Sequence, residues 1–282
     1  MNKSLQQSAL AIFIAILIIA CGNNQPKQTA SSVLSNVKND SVKVTLKLDT
    51  INKLEDQQDS VAIIKSPSGK YYTVYLADKD GNLVQARDAM MRSNDSLYCV
   101  TDLFLGHDRK KAKSTILTRG FQNYNSVAAF IATLQSDSIM RNLNPAISSL
   151  PNAPRVTQEK RNVKIKTAYI YAVRREDDND FHIIIGDTLP FNAANALNVE
   201  IAGLPNPANT STDTIQNVRT VVEAFFGEKC SGAYSTFSPP IPITVSGSLF
   251  YDIDHAPGIV GTGIYKPQTS WEIHPAKSFV FK

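Results

Sequence analysis

Three short stretches carry the side chains best suited to chemistry: Asp180-Phe181-His182, Asp252-Ile253-Asp254-His255 and Glu272-Ile273-His274. In an extended chain, residues two apart point to the same side. Asp180 with His182, and Glu272 with His274, would therefore each present a carboxylate and an imidazole in one direction. Asp252 and Asp254 form a third pair, with His255 on the opposite side unless the strand has ended by then. If these pairs converge, they offer the nitrogen and oxygen donors that zinc or manganese accepts. A divalent metal held in this way activates water for phosphodiester or ester hydrolysis. The same spacing also suits local pairing. On that reading Asp180 and His182 close a hairpin, Glu272 and His274 cap a barrel seam, and Asp252 and Asp254 shape the turn before Pro257-Gly258. Acid-x-His is a much less specific signal than a HExxH helix.

Other chemistries find less support. There is no GxSxG nucleophile elbow, and Cys230 in Lys229-Cys230-Ser231-Gly232 has no base beside it in sequence. No Walker loop or dinucleotide glycine motif is present. Gly258, Gly261 and Gly263 mark a loop able to frame a ligand, and Tyr251, Tyr265 and Trp271 either stack on sugars or bases or fill a core. Arg109-Lys110-Lys111-Ala112-Lys113 is a basic cluster suited to anionic lipid or to plain solvation. His107 beside it has no partner in sequence. Net charge is +4, from 29 basic and 25 acidic residues, too weak a surplus to argue for nucleic acid.

The elements that must position these residues are mainly strands. Val42, Val44, Leu46 and Leu48 alternate. Val61 to Ile64 and Tyr71 to Leu76 flank the turn Ser66-Pro67-Ser68-Gly69 and predict a hairpin, and Leu97 to Leu105 is a further strand candidate. Asn125 or Ser126 caps a helix with Val127, Phe130, Ile131 and Leu134 on one face. Residues 42–143 thus read as a small α+β unit. Residues 144–162 hold the proline-rich NPAISSLPNAP stretch and read as a linker. Beyond it, strands are expected at Val163 to Arg174, Phe181 to Asp187, Leu197 to Ala202, Ile243 to Asp252 and Trp271 to Phe281. A helix capped by Thr212 or Asp213 falls between the third and fourth, with Ile215, Val218, Val221, Val222, Phe225 and Phe226 on one side. The fold class is therefore mainly β (α+β), with a five-stranded barrel over 163–282 in the order of the oligonucleotide/oligosaccharide-binding (OB) fold.

Residues 150–282 resemble an uncharacterised bacterial family through Arg174 to Asp187, Gly247 to His255 and Trp271 to Pro275. That resemblance implies a domain and no reaction. The thermonuclease family also uses an OB barrel, with acidic residues and arginines for calcium-dependent phosphodiester cleavage. Asp178 and Asp180 resemble its leading acidic pair, but only Arg174 or Arg175 are at hand for its catalytic arginines.

The first residues give an address. Lys3 precedes an apolar run from Ala9 to Ala20, shorter than the roughly 20 residues a spanning helix needs. Ile18-Ile19-Ala20-Cys21 resembles the lipobox of bacterial lipoproteins, which implies cleavage after residue 20, lipid on Cys21 and attachment to an envelope membrane. Gly22 in place of Asp points to the outer membrane. Residues 21–41 are polar and small and read as a flexible tether. Cys99 and Cys230 remain to form a disulfide or stay as buried thiols. The expected function is a lipid-anchored binding or interaction module for an unknown ligand or envelope protein rather than an enzyme. The alternative is a metal-dependent hydrolase built on Asp180, His182, Glu272 and His274.

Overall fold

The computed structural model describes residues 61–66, 69–84, 101–187, 189–226 and 233–282. The leader, the tether, the strand expected from Val42 and all three cysteines lie outside them. Strands β1 (Val61–Lys65) and β2 (Tyr71–Ala77) form the expected hairpin, with Val61 opposite Tyr75 and Lys65 opposite Tyr71. Its turn closes as the Gly69 N–H donates to the Ser66 carbonyl at 2.9 Å. Gly69 has φ +84°, a setting that carries no steric cost only for glycine.

Short elements follow: α1 (Lys110–Lys113), β3 (Phe121–Tyr124), α2 (Val127–Ile131) and α3 (Asp137–Arg141). Helix α2 starts where expected, with Ser126 Oγ accepting the Ala129 N–H at 3.1 Å. The barrel strands are β4 (Asn162–Arg175), β5 (Phe181–Gly186), β6 (Ala196–Ile201), β7 (Tyr234–Tyr251) and β8 (Trp271–Phe281), with α4 (Thr212–Phe226) between β6 and β7. β4 pairs with β5 and β5 with β6; β6 runs parallel beside β8; β8 pairs with β7, and β7 returns to β4. This closure, with a helix between the third and fourth strands, is the OB arrangement.

Three expectations need correcting. The described residues belong to one compact unit, so 144–162 does not divide two separately packed bodies. β2 extends β7, β3 extends β4, and Ile64, Val74, Val127, Phe130 and Met140 share one core with the barrel interior. Residues 101–105 are not a strand. Thr101 and Leu103 make only isolated bridges, that of Leu103 being to Leu204, and the Leu105 N–H donates to the Asp178 carbonyl at 2.9 Å; residues 97–100 of the expected strand lie outside the described residues. Strand β7 begins at Tyr234 rather than Ile243. Prolines 239, 240 and 242 cannot donate to a ladder and hide it from a sequence reading. Pro239 and Pro240 sit where the β4 pairing jumps from Ile241 to Thr236.

Helix α4 buries Ile215, Val218, Val222, Phe225 and Phe226. Val221 lies off that face and is exposed. Among the described residues no helix is long and apolar enough to cross a membrane. β7 and β8 approach closely at Gly247, where a Cβ would come within 2.5 Å of the Pro275 carbonyl oxygen and 2.8 Å of Ala276 Cα. Both atoms are backbone and yield only by moving a strand. Gly247→Ala should therefore destabilise the protein by about 1–3 kcal/mol, seen as a lower urea midpoint; an unchanged midpoint would mean that the two strands part at little cost.

Candidate metal centre

Phe181, Ile183, Ile185, Leu197, Val199, Ile201 and Ile273 fill the barrel interior. Strand alternation then turns His182, Asn198, Glu200, Glu272 and His274 outward. Register sets their neighbours: His182 lies opposite Glu200 across β5 and β6, and Asn198 lies opposite Glu272 across β6 and β8. Because β6 and β8 run parallel, the next outward positions along both strands bring Glu200 level with His274. Their Oε2 and Nδ1 atoms are 2.7 Å apart. Asp180, just ahead of β5, reaches the same place, with Oδ2 3.2 Å from His274 Nε2. Its Oδ1 accepts the Gly203 N–H at 2.6 Å.

One donor atom each from Asp180, Glu200 and His274 lies within 4.8 Å of the others. The three residues are 0%, 1% and 0% exposed, so bulk solvent does not reach them. Asn198 Nδ2 donates to Glu200 Oε1 at 2.7 Å and to Glu272 Oε1 at 3.1 Å, holding both carboxylates in place. Glu272 Oε2 is 3.6 Å from His274 Nδ1. Asp180 Oδ2, Glu200 Oε2, Glu272 Oε2 and both His274 nitrogens are buried and meet one another as ion pairs, with Asp180 on the Nε2 side of the ring and Glu200 and Glu272 on the Nδ1 side, and none of these contacts has the geometry of a well-formed hydrogen bond. Such groups are costly inside a protein unless something satisfies them.

Two of the expected ligands, Asp180 and His274, thus meet directly. Glu272 adjoins them, whereas His182 does not face the same point. Its Nε2 is 2.8 Å from Glu200 Oε1 and its Nδ1 3.3 Å from Glu176 Oε1, so it orients Glu200 from behind. Glu200 itself was missed in the sequence. It has no histidine two residues away, and only its place with Asn198 in an otherwise apolar strand marks it.

The electrostatics are those of crowded carboxylates. Burial pushes Glu272 up to about 7, and the Glu200 charge adds to this. Burial likewise raises Asp178 to about 7, reinforced by Asp180 and Glu200. For His182 burial acts downward, but Glu200 and Glu176 outweigh it and hold the ring cationic, at about 10. Burial acts upward on Glu200, yet His182 and His274 pull it well below the usual carboxylate range.

Residues 101–118 cover this face. The Phe104 N–H donates to the Leu204 carbonyl at 2.8 Å, and the Leu117 N–H donates to Ser248 Oγ at 2.9 Å. Arg109 fixes the cover with two bonds to Glu159, at 2.7 and 2.8 Å. Lys113 turns inward, its Nζ 4.0 Å from Asp252 Oδ2. Of the basic cluster, Arg109 is buried and Lys113 largely so, so only part of it faces solvent. His107 is exposed, with Asp108 at 3.2 Å.

At the edge of the centre, β7 has ended before His255, which folds back onto buried Asp252 with Nδ1 to Oδ2 at 2.7 Å. Asp254 is exposed and donates its N–H to Asp252 Oδ1. The His182 and His255 rings lie 6.4 Å apart, edge to face. The Asp252 bond raises His255 above the ordinary imidazole value. Burial acts upward on Asp252, but His255 and Lys113 hold it at about 2. The histidine part of this stability is complete below pH ~6.5 and fades as pH rises through the folded His255 value; the aspartate part is present above pH ~3.9 and fades as pH falls through about 2. The stability gap between the protein and His255→Asn should then be widest between pH ~4 and ~6.5 and shrink in alkali. Chemical unfolding across that range measures it, and a gap that is still constant at high pH would remove the pair from the account.

Of the two roles open to the aromatic residues, the structure shows packing. Trp271 and Tyr251 are 1% and 0% exposed and fill the barrel, with the Trp271 indole N–H donating to the Gln135 carbonyl at 2.7 Å. Tyr265 packs on Tyr171 and Phe191. Arg175 is tied to the Thr101 carbonyl and Asp102, while Arg174 pairs with Glu176 and lies over the Tyr234 ring.

Fold and site together define an OB-type barrel whose outer face carries a buried histidine–carboxylate centre. No family model matches the chain, and no curated protein or solved structure matches it either.

Proposed function

We propose that the protein is a lipid-anchored envelope protein whose barrel binds one divalent transition-metal ion through Asp180, Glu200 and His274. The observation that carries this reading is a set of three fully buried residues that each bring one donor atom within 4.8 Å of the others. Two carboxylates and an imidazole suit Zn²⁺ or Mn²⁺. Three protein ligands leave a fourth position of a tetrahedral ion open, as in catalytic sites, but all three donors are buried, so bulk solvent does not reach the ion. The ion would clamp β5, β6 and β8 beneath the 101–118 cover and supply the positive charge that the carboxylates need. Attachment through Cys21 rests on the apolar leader and the lipobox-like Ile18 to Cys21.

Protein purified without chelator should contain close to one equivalent of metal, and calorimetric titration of the stripped protein should show one saturable site for Zn²⁺ or Mn²⁺. Failure of both ions to bind would overturn the reading. Mass spectrometry of the processed chain should find diacylglyceryl-modified Cys21 as its first residue; a bare thiol or another first residue would remove the anchor.

A second reading, metal-dependent hydrolysis, is favoured by the Asp252–His255 pair at the rim. The His255 side chain is 41% exposed, and its ring is oriented by a buried carboxylate, as a general base requires. Metal-dependent turnover of a phosphodiester, lost in His255→Ala or His274→Ala, would put this reading ahead of the first.

A further inference from the structure

On the side of the cover formed by residues 111–119 and 152–160 lies a cleft of about 280 Å³. Its wall is mainly apolar, from Ala112, Leu117, Ala153 and Pro154, and Lys111, Arg119, Arg155 and Lys160 also line it, with no carboxylate among the lining residues. Arg155 forms its inner wall and is 6% exposed. Its guanidinium donates only to carbonyls: Leu249 at 2.6 Å, Ala112 at 2.5 Å, His274 at 2.7 Å and Thr115 at 3.3 Å. The nearby buried carboxylate, Glu159, has both oxygens engaged by Arg109. Two buried guanidinium groups therefore share one carboxylate, and one of them, Arg155, belongs to the cleft lining. Lys111, Arg119 and Lys160 are exposed at its mouth, and Arg119 donates to the Lys160 carbonyl at 3.2 Å, which keeps the two residues together.

We propose that this cleft is an anion site that takes a phosphate group carried on a small molecule or a lipid headgroup. Several cations around one concavity favour a dianion over a single carboxylate, and lysine and arginine are the side chains that recognise phosphate. The volume falls just under the roughly 300–1,000 Å³ of drug-sized pockets, so it suits a headgroup rather than a polymer. Lys111, Arg119 and Lys160 lie outside the metal centre, which Arg155 touches only through the His274 carbonyl.

The test uses the full-length processed protein with two probes, glycerol 3-phosphate in solution and vesicles of phosphatidylcholine with or without phosphatidic acid. Glycerol 3-phosphate should bind saturably at one site and weaken as salt rises. The Lys111→Glu/Lys160→Glu protein changes two exposed side chains and should keep its melting temperature while binding about tenfold more weakly. A response to glycerol 3-phosphate assigns a soluble ligand, and a response only to phosphatidic acid beyond the phosphatidylcholine baseline assigns a headgroup. Glu200→Gln should leave either response intact, which separates this site from the metal centre. Silence of both probes, or binding unchanged by the double charge reversal, would overturn the proposal.

Discussion

Glu200→Gln should weaken Zn²⁺ or Mn²⁺ binding by about 100-fold or more, because loss of a mere supporting partner of a ligand already costs roughly 10- to 100-fold. Glu200 is the most exacting choice: its two oxygens lie 2.8 Å from His182 Nε2 and 2.7 Å from His274 Nδ1. The amide keeps the shape and removes the charge. His182→Asn, which removes only the support behind Glu200, should fall within about 10- to 100-fold. Stability gives a second readout. An ion at 100 times its dissociation constant adds about 2.7 kcal/mol to folding, so the unfolding midpoint should climb with metal in the parent protein and stay flat in Glu200→Gln. If Glu200 only filled space, its replacement would lower the midpoint at every metal concentration and leave the climb intact.

Arg109→Met should cost about 3–5 kcal/mol, the usual penalty for orphaning one half of a buried ion pair. Both residues are almost wholly inaccessible, 1% and 0% exposed. Glu159 would keep only the backbone N–H groups of Val156 and Tyr251, at 2.7 and 2.8 Å. Arg109 also lies 4.5 Å over the Phe250 ring and donates to the Tyr251 and Pro154 carbonyls, so it stitches the cover to β7 and to the 154–159 segment. Replacing both partners with apolar residues, Arg109→Met with Glu159→Leu, should recover part of the loss, since no unpaired charge is then buried. Urea unfolding of the two variants measures this, and a single variant within about 1 kcal/mol of the parent would mean that the cover is held elsewhere.

Much of the barrel is legible from residue pattern alone. β5, β6, β8 and α4 declare themselves because one face of each must be apolar to meet a core, and that need writes a period of two or of 3.6 into the chain. What escapes lies where tertiary contacts override local preference. β3, with the pattern FQNY, exists because β4 offers it an edge. The first part of β7 keeps its strand in spite of its prolines because β2 and β4 flank it. The 101–105 segment has the apolar residues of a strand and instead crosses the barrel face.

The centre divides in the same way. Asp180, His182, Glu272 and His274 could be singled out because side-chain direction along a strand is a local property: atoms two residues apart share a face wherever the strand goes. That Glu272 and His274 share one side of their strand was therefore settled by the sequence alone. That Glu200 meets His274, and that His182 stands behind it, depends on β6 and β8 running side by side and parallel, although about seventy residues separate them in the chain. Only closure of the barrel decides that neighbour, because register between distant strands is fixed by the packing of the whole interior and not by either strand.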